Sequence, residues 1–134
     1  MRARFVRKGV VMEIKVGEYV RTKNGLIGKV NKIELKGSGV RFGGEFLTDE
    51  IIQFNDGKVY ERRVETQQIF KHSFNLIDLI EVGDYVNLER ILDITGDYIR
   101  TTETIHNKFW LAKNIYSILT HEQYNANCYK VKGE

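Results

Sequence analysis

A seven-residue phrase occurs twice in this chain of 134 residues, and it constrains the fold more than any other feature. Residues 14–20 read IKVGEYV and residues 80–86 read IEVGDYV, so five of the seven positions are identical. In each copy the glycine permits a tight turn, the acidic side chain can bond nearby backbone, and Tyr-Val favours a strand. The phrase therefore predicts two small β units of similar construction. Chance convergence on a common way of entering a strand is the alternative.

Glycine turns between short apolar segments account for much of the remaining pattern. The chain has 12 glycines and no proline. Asn24-Gly25 is a strong hairpin signal between predicted strands at 19–21 and 26–35. Val30 and Ile33 do not alternate cleanly, so the second strand is predicted to be bulged or bent, with Gly28 as the site. Short strands separated by such turns are typical of a barrel or sandwich, and they argue against parallel α/β folds with their cofactor sites.

Two segments are predicted to be helical. Residues 74–80 (FNLIDLI) carry apolar residues at helical spacing, so a turn and a half of helix is expected there. Thr120 followed three residues later by Gln123 is a capping box, which predicts one short helical turn from His121 to Asn125.

These patterns predict a mainly β protein with two small SH3-like barrel or sheet units, a short helical connector and a short C-terminal helix turn. The predicted boundaries are a basic N-terminal extension at 1–11, a first SH3-like β unit at 12–66, a connector at 67–80 and a second SH3-like β unit at 81–134. Residues 12–20 (MEIKVGEYV) also read like a natural protein start. Whether residues 1–11 belong to the native start is therefore left open.

Positive charge is concentrated at the beginning of the chain. The formal net charge is +3, but residues 1–36 contain ten basic and three acidic residues, so this segment carries +7 and the remainder −4. Such an asymmetry attracts nucleic acid or an acidic protein surface, although a solvated face is an equally good explanation. The candidate binding residues for nucleic acid or an acidic partner are Arg21, Lys23, Lys29, Lys32, Lys36 and Arg41.

Residues 16–30 (VGEYVRTKNGLIGKV) resemble the Gly-Asp-x-Val…Gly…Gly-x-Val pattern of KOW-type and related SH3-like barrels. The resemblance implies a barrel that contacts RNA or protein through the loop after its first strand. In modules of this kind cations hold phosphates, and exposed aromatic rings stack on bases. Tyr19, Phe42 and Phe46 are candidates for stacking, and the alternative is that they belong to the core.

No catalytic, metal-binding or cofactor-binding pattern is found. His72, His106, His121 and Cys128 show no metal-ligand spacing. No Gly-x-Ser-x-Gly elbow or phosphate-binding glycine loop occurs, and the sequence therefore predicts a protein that is not an enzyme. A single cysteine excludes an intramolecular disulfide. A cytoplasmic location is expected, since neither a signal peptide nor an apolar segment long enough for a membrane helix is present.

A second resemblance covers more of the chain. Residues 75–87 (NLIDLIEVGDYVN) and 115–124 (IYSILTHEQY) are similar to a family of small proteins from Firmicutes phages, prophages and mobile elements. Its members often continue with Gly-Tyr-Lys-Val after Val-Asn, where this chain has residues 88–91 (LERI), so the turn is changed.

That resemblance implies an accessory protein in the host cytosol, and the leading functional expectation is a non-catalytic protein-binding module. Inhibition of a host defence nuclease, as anti-CRISPR proteins do, is its most concrete form. The alternative is a nucleic-acid-binding module that uses the basic face from Arg21 to Lys36. The partner, a host or phage protein, is not identified by the sequence, and neither is the oligomeric state.

Overall fold

The computed structural model describes residues 2–7, 10–35, 40–42, 45–47, 50–55, 61–129 and 131, with side-chain environments for 13–34, 53, 62–129 and 131. The protein is mainly β, as predicted. The strands within these ranges are β1 (Arg2–Arg7), β2 (Val10–Lys15), β3 (Tyr19–Thr22), β4 (Ile27–Leu35), β5 (Val40–Phe42), β6 (Glu45–Leu47), β7 (Glu50–Asn55), β8 (Glu61–Glu65), β9 (Ile69–Ser73), β10 (Tyr85–Val86), β11 (Glu89–Thr95), β12 (Tyr98–Thr101), β13 (Ile105–Asn107) and β14 (Ile118–Leu119).

Short helices occur at four places in the described chain. Two are 3₁₀ turns, Thr66–Gln68 and Leu76–Leu79, and two are α-helices, α1 (Lys108–Ala112) and α2 (His121–Asn127). The helical prediction for 74–80 is therefore confirmed as a 3₁₀ turn. The predicted helix at the end of the chain is confirmed as α2, and the Thr120 hydroxyl accepts a hydrogen bond from the Gln123 amide at 3.3 Å.

The chain divides into two compact units, Met1–Asn75 and Leu76–Glu134, which are called the first and second unit below. The boundary lies inside the segment predicted as a connector, residues 67–80. The first part of that segment forms β9, which pairs with β3 and so belongs to the first sheet. Residues of the predicted extension at 1–11 form β1 and the start of β2, which pair as an antiparallel hairpin.

The first unit contains a five-stranded antiparallel sheet in the order β8-β7-β4-β3-β9. Four strands of this sheet follow one another as a meander, and the fifth returns to pair with the first. The 3₁₀ turn Thr66–Gln68 lies immediately before this fifth strand. Strands β5 and β6, which lie between β4 and β7 in the chain, pair with each other in a separate hairpin.

The second unit repeats this order with different strands. Its sheet runs β13-β12-β11-β10-β14, so again the fifth strand pairs with the first. Helix α1 occupies the place between the fourth and fifth strands where the first unit has a 3₁₀ turn. The two five-stranded sheets therefore share one topology. The units differ in the connection that precedes the last strand and in the two hairpins, β1-β2 and β5-β6, that the first unit has in addition.

The repeated phrase has the same backbone geometry in both units. Gly17 and Gly83 have φ angles of +96° and +97°, a conformation that glycine adopts at low cost. Each glycine amide donates at 2.9 Å to a carbonyl of the second strand after it, that of Val30 on β4 or Ile91 on β11. The amides of Val30 and Ile91 donate back at 2.8 Å to the backbone carbonyls of Glu18 and Asp84, respectively. The phrase is thus one structural device used twice.

Each unit has its own apolar core. Five buried aliphatic residues form the core of the first unit, namely Ile14, Val20, Val30, Ile33 and Ile69. Six form that of the second, namely Ile77, Ile80, Val86, Ile91, Ile99 and Leu111. The irregularity predicted in β4 is present, but the register shifts between Val30 and Lys32 instead of at Gly28. The extra residue at the shift explains why Val30 and Ile33, three apart, both point into the core.

Candidate binding surfaces

The predicted basic residues of the first unit do not form one surface. Lys23, Lys29 and Lys32 are exposed, as a role in binding requires. Arg21 is fully buried on β3, which lies between β4 and β9 in the sheet, so its charge does not contribute to that surface. The side-chain environment of Arg41, on β5, and the whole of Lys36 lie outside the described residues.

Lys32 belongs to a mixed cluster of charges. Its ammonium lies 2.8 Å from a Glu34 carboxylate oxygen, and the Arg63 guanidinium bonds the other oxygen of the same carboxylate. Lys32 and Arg63 both pair with Gln53, which places the two cations on neighbouring positions of one face. The hydrogen bond from Lys32, then the nearby cations, hold the pKa of Glu34 below its ordinary value. Lys32 is therefore balanced locally by an acid.

Lys29 is the predicted cation with the most favourable surroundings for binding a phosphate. Its ammonium lies 5.8 Å from the centre of the Tyr19 ring, a cation–π contact within the first unit. Tyr19, a predicted stacking residue, is partly buried beneath it. Phe42 and Phe46, the other two candidates, have no described side-chain environment. Among the predicted cations whose surroundings the structure describes, Lys23 and Lys29 are thus the exposed ones outside the Glu34 cluster.

Exposed aromatic and aliphatic side chains are concentrated in the second unit, which sequence reasoning did not predict. Among residues with described side-chain environments, the first unit exposes three large apolar side chains, Val16, Phe70 and Phe74. The second unit exposes twelve, namely Val82, Leu88, Leu92, Tyr98, Ile105, Phe109, Trp110, Tyr116, Leu119, Tyr124, Tyr129 and Val131. The described surface of the second unit is therefore the more apolar of the two.

Phe109 and Trp110 lie in the first turn of α1, directly after the edge strand β13, and we call these two residues the edge surface. The side-chain oxygen of Asn107 accepts hydrogen bonds from the amides of Phe109 and Trp110, at 3.0 and 3.2 Å. This cap begins the helix directly after the strand, and both aromatic side chains in its first turn are exposed.

The Trp110 side chain is exposed, but its ring is restrained by a neighbouring histidine. Its ring is stacked on the His106 imidazole, with the planes 2° apart and the centroids 5.6 Å apart. The imidazole is itself held by Glu89, because His106 Nε2 lies 3.1 Å from the Glu89 carboxylate. The Thr101 hydroxyl donates to the same carboxylate oxygen at 2.6 Å. The hydrogen bond from Thr101, then the one from His106, hold the pKa of Glu89 below its ordinary value.

The acidic residues of the repeated phrase form a second set of histidine contacts. In the first unit, the Glu18 carboxylate accepts from the Lys15 amide at 2.6 Å and lies 3.0 Å from His72 Nδ1. In the second unit, Asp84 accepts from the Glu81 amide at 2.7 Å and lies 3.0 Å from His121 Nδ1. All three histidines of the chain therefore contact a carboxylate. Their partners are 54, 17 and 37 residues away along the chain, so spacing alone could not reveal them.

One of these contacts includes a possible set of metal ligands. Asp84, His121 and Glu122 offer ligand atoms within 4.8 Å of one another. However, both oxygens of the buried Asp84 carboxylate accept backbone amides, Oδ2 from Glu81 and Oδ1 from His121. A cation bound there would compete with the bonds that join the turn to α2. The arrangement is better explained as a set of hydrogen bonds that hold the repeated turn against the start of α2 within the second unit.

Comparison with known proteins adds no relative: no family model, curated protein or solved structure matches the chain. Within the described ranges, no helix combines the length and the apolar character needed to cross a membrane.

Proposed function

We propose that this chain is a non-catalytic protein-binding module whose second unit makes the main contact through the edge surface. The observation that supports the proposal most directly is Trp110, which is 56% exposed although its ring is stacked on a histidine that is itself held by a carboxylate. Tryptophan is among the residues most enriched at the energetic centres of protein interfaces.

The restraint on Trp110 favours binding for a thermodynamic reason. An exposed side chain that must be ordered on association costs about 0.5–1.5 kcal/mol of conformational free energy. His106, Glu89 and the Asn107 cap restrict Trp110 before any partner arrives. Part of that cost is therefore met during folding, and more of the apolar burial appears as affinity.

The partner class follows from the resemblance to phage and mobile-element proteins, which makes a host or phage protein the proposed target. Blocking a host defence nuclease is the most specific form of this proposal. The second unit carries six basic and nine acidic residues, a net charge of −3. Its charge density is too low for general imitation of DNA, so any such inhibition would depend on shape and on the exposed apolar residues.

Comparative purification from the natural host tests the proposal. Tagged wild-type protein, Trp110→Ala and the control Phe74→Ala are used as bait, and each captured protein is purified and titrated against all three. Phe74 is the matched control because it is 57% exposed and lies in the first unit. We expect Trp110→Ala to weaken binding about 30-fold or more, the cost of losing an interface hot spot, while Phe74→Ala leaves it unchanged. Equal binding by all three would refute the proposal.

A second candidate function, nucleic-acid binding, is supported by the exposed Lys23 and by Lys29 above Tyr19. Its test is titration with single- and double-stranded DNA and RNA at increasing salt. Affinity should fall linearly in log salt, and charge reversal at Lys23 and Lys29 should abolish binding, with Lys113→Glu in the second unit as control. Absence of binding at about 50 mM salt, where phosphate contacts are strong, excludes this candidate.

A further inference from the structure

The hairpin between β10 and β11 has an unusual backbone at its tip. Its two central residues, Asn87 and Leu88, have φ angles of +51° and +69°, the signs required by a type I′ turn. Elsewhere in the described chain, positive φ angles occur only at glycines, namely Gly17, Gly25, Gly83 and Gly96. Asparagine tolerates this region, but leucine is strained in it because its Cβ approaches the carbonyl oxygen. Leu88 is thus the one apolar residue held in a disfavoured conformation in these ranges.

Asn87 holds the tip in place. Its side-chain oxygen accepts from the amides of Tyr116 and Ser117, at 2.8 and 3.2 Å, and its amide group donates to the Asn114 carbonyl at 2.8 Å. The Asn87 backbone adds bonds to the Ser117 carbonyl and the Tyr116 hydroxyl. Every one of these bonds fixes the position of Asn87, and none of them uses the side chain of Leu88.

Leu88 is therefore an exposed apolar side chain on a turn that the hydrogen bonds of Asn87 hold in place. Leu88 is 81% exposed and Tyr116, bonded to the same turn, is 74% exposed. The turn is also connected to the edge surface, because the Asn114 side chain donates to the Trp110 carbonyl at 2.6 Å. Two successive hydrogen bonds, from the Asn87 side chain to Asn114 and from the Asn114 side chain to Trp110, therefore link the turn to Trp110.

We propose that Leu88, flanked by Tyr116, is a second anchor of the protein-binding surface and inserts into an apolar cavity of the partner. This inference rests on the proposed function and extends it. Strain at an exposed residue that folding does not need is characteristic of functional positions. The occupant is a protein because the second unit has a net charge of −3, which repels the phosphates of nucleic acids and of anionic lipid headgroups.

The first test needs no partner. Leu88→Gly removes the strain and little buried area, so the ratio of folded to unfolded protein should rise about threefold, after the extra freedom of glycine in the unfolded chain is counted. Leu88→Met keeps both the strain and an apolar side chain and should leave the ratio unchanged. Stability is measured by urea unfolding followed through Trp110, the single tryptophan. A several-fold decrease for Leu88→Gly would mean that Leu88 supports the fold, and the inference would be wrong.

The second test measures binding. A photo-crosslinking amino acid is placed at position 88, 110 or 74 of the full chain in host cells, and each captured protein is purified for titration. Burial of a leucine contributes enough free energy that Leu88→Gly should weaken binding roughly 10- to 100-fold, whereas Leu88→Met should stay within about threefold of wild type.

The outcomes separate the two proposals. Loss of binding by Leu88→Gly, at unchanged or increased stability, supports the second anchor. Wild-type affinity of Leu88→Gly for a protein that Trp110→Ala no longer binds overturns the anchor and leaves the proposed function standing. If no protein is captured at position 88 or 110, both fail. Binding of wild type, but not Leu88→Gly, to phosphatidylglycerol vesicles or to a DNA 20-mer overturns the protein occupant.

Discussion

The two units share a strand order and a turn, yet they present different surfaces. The first unit has 15 basic and nine acidic residues, a net charge of +6, and exposes three large apolar side chains among those described. The second has a net charge of −3 and exposes twelve. The repeated turns agree closely, down to the φ angles of Gly17 and Gly83. The difference shows that one scaffold serves surfaces of opposite chemistry, so the fold by itself does not identify the partner.

The connection before the last strand differs in a related way. In the first unit it is a three-residue 3₁₀ turn that begins after Glu65 without a side-chain cap. In the second it is α1, capped by Asn107 and carrying Phe109 and Trp110. The longer connection supplies the surface on which the proposed function depends.

The largest expected effect concerns the acid of the repeated phrase. Asp84→Ala should lower the free energy of unfolding of the second unit by about 3–5 kcal/mol, because it leaves two backbone amides and a histidine without their acceptor. Glu18→Ala should cost the first unit less, about 2–3 kcal/mol, since the bonds to Glu18 come from one backbone amide and one histidine. Amide hydrogen exchange resolved by residue assigns each loss to a unit.

A loss of protection confined to the mutated unit is expected in both variants. Equal losses in both units would show that the repeated turns do not act separately. Asp84→Asn is the milder control, because it retains one accepting oxygen.

The next effect concerns the Glu89 carboxylate of the second unit, and it depends on pH. Because the folded-state pKa of Glu89 lies below its ordinary value of 4.5, ionised Glu89 stabilises the second unit above that pH. This contribution is lost as the pH falls through the folded-state pKa. Glu89→Gln should cost about 1–2 kcal/mol at pH 7 and progressively less toward pH 3.

Urea unfolding of both proteins between pH 7 and pH 3, followed through Trp110, measures the difference. A difference that stays constant over this range would contradict the assignment of the stabilising species to the carboxylate.

The cap of α1 has a smaller expected effect. Asn107→Ala should lower the free energy of unfolding by about 1 kcal/mol, since the amides of Phe109 and Trp110 lose their acceptor. It should also weaken partner binding, because the edge surface is less restrained. Glu65→Ala, at the uncapped position of the first unit, is the matched control, and a smaller loss is expected there. Thermal unfolding measures the loss of stability. The shift of the Trp110 emission maximum on addition of the partner measures the loss of binding.

The smallest effect is expected for the charge cluster on the first sheet. Glu34→Gln removes the acid shared by Lys32 and Arg63, but these groups are solvent-exposed and their pairing is screened. Stability should therefore be unchanged within error. Affinity for nucleic acid, if any is found, should increase, because Lys32 is released from its acidic neighbour. Unchanged affinity would remove Lys32 from the candidate surface.

Much of the fold could be predicted from local patterns. The repeated phrase, the Asn24-Gly25 turn and the Thr120 cap each depend on the conformation that a few adjacent residues favour, and the structure confirms a strand or helix beside each. The bulge in β4 was expected from the spacing of Val30 and Ile33, although its position was wrong, because the register with the neighbouring strand decides where the extra residue goes.

The candidate surfaces were much harder to predict, because they depend on contacts distant in sequence. Arg21 lies in a basic segment, yet its strand has a neighbour on each side in the sheet and the side chain is buried. Phe109 and Trp110 have the composition of a core segment, but the Asn107 cap turns the chain so that only Leu111 is buried beside them. The contact between Glu89 and His106 could have been suspected only from the strand pairing that brings β11, β12 and β13 together.

The pairing of first and last strands also has a kinetic consequence. Tyr19 pairs with Ser73, 54 residues later, and Tyr85 pairs with Leu119, 34 residues later. Such non-local pairing is slow to form, and the longer separation carries the larger entropic cost of loop closure. During synthesis, the first sheet can close only after residue 73 has left the ribosome. It can do so while most of the second unit is still being made, so the two similar phrases need not compete for one another's strands.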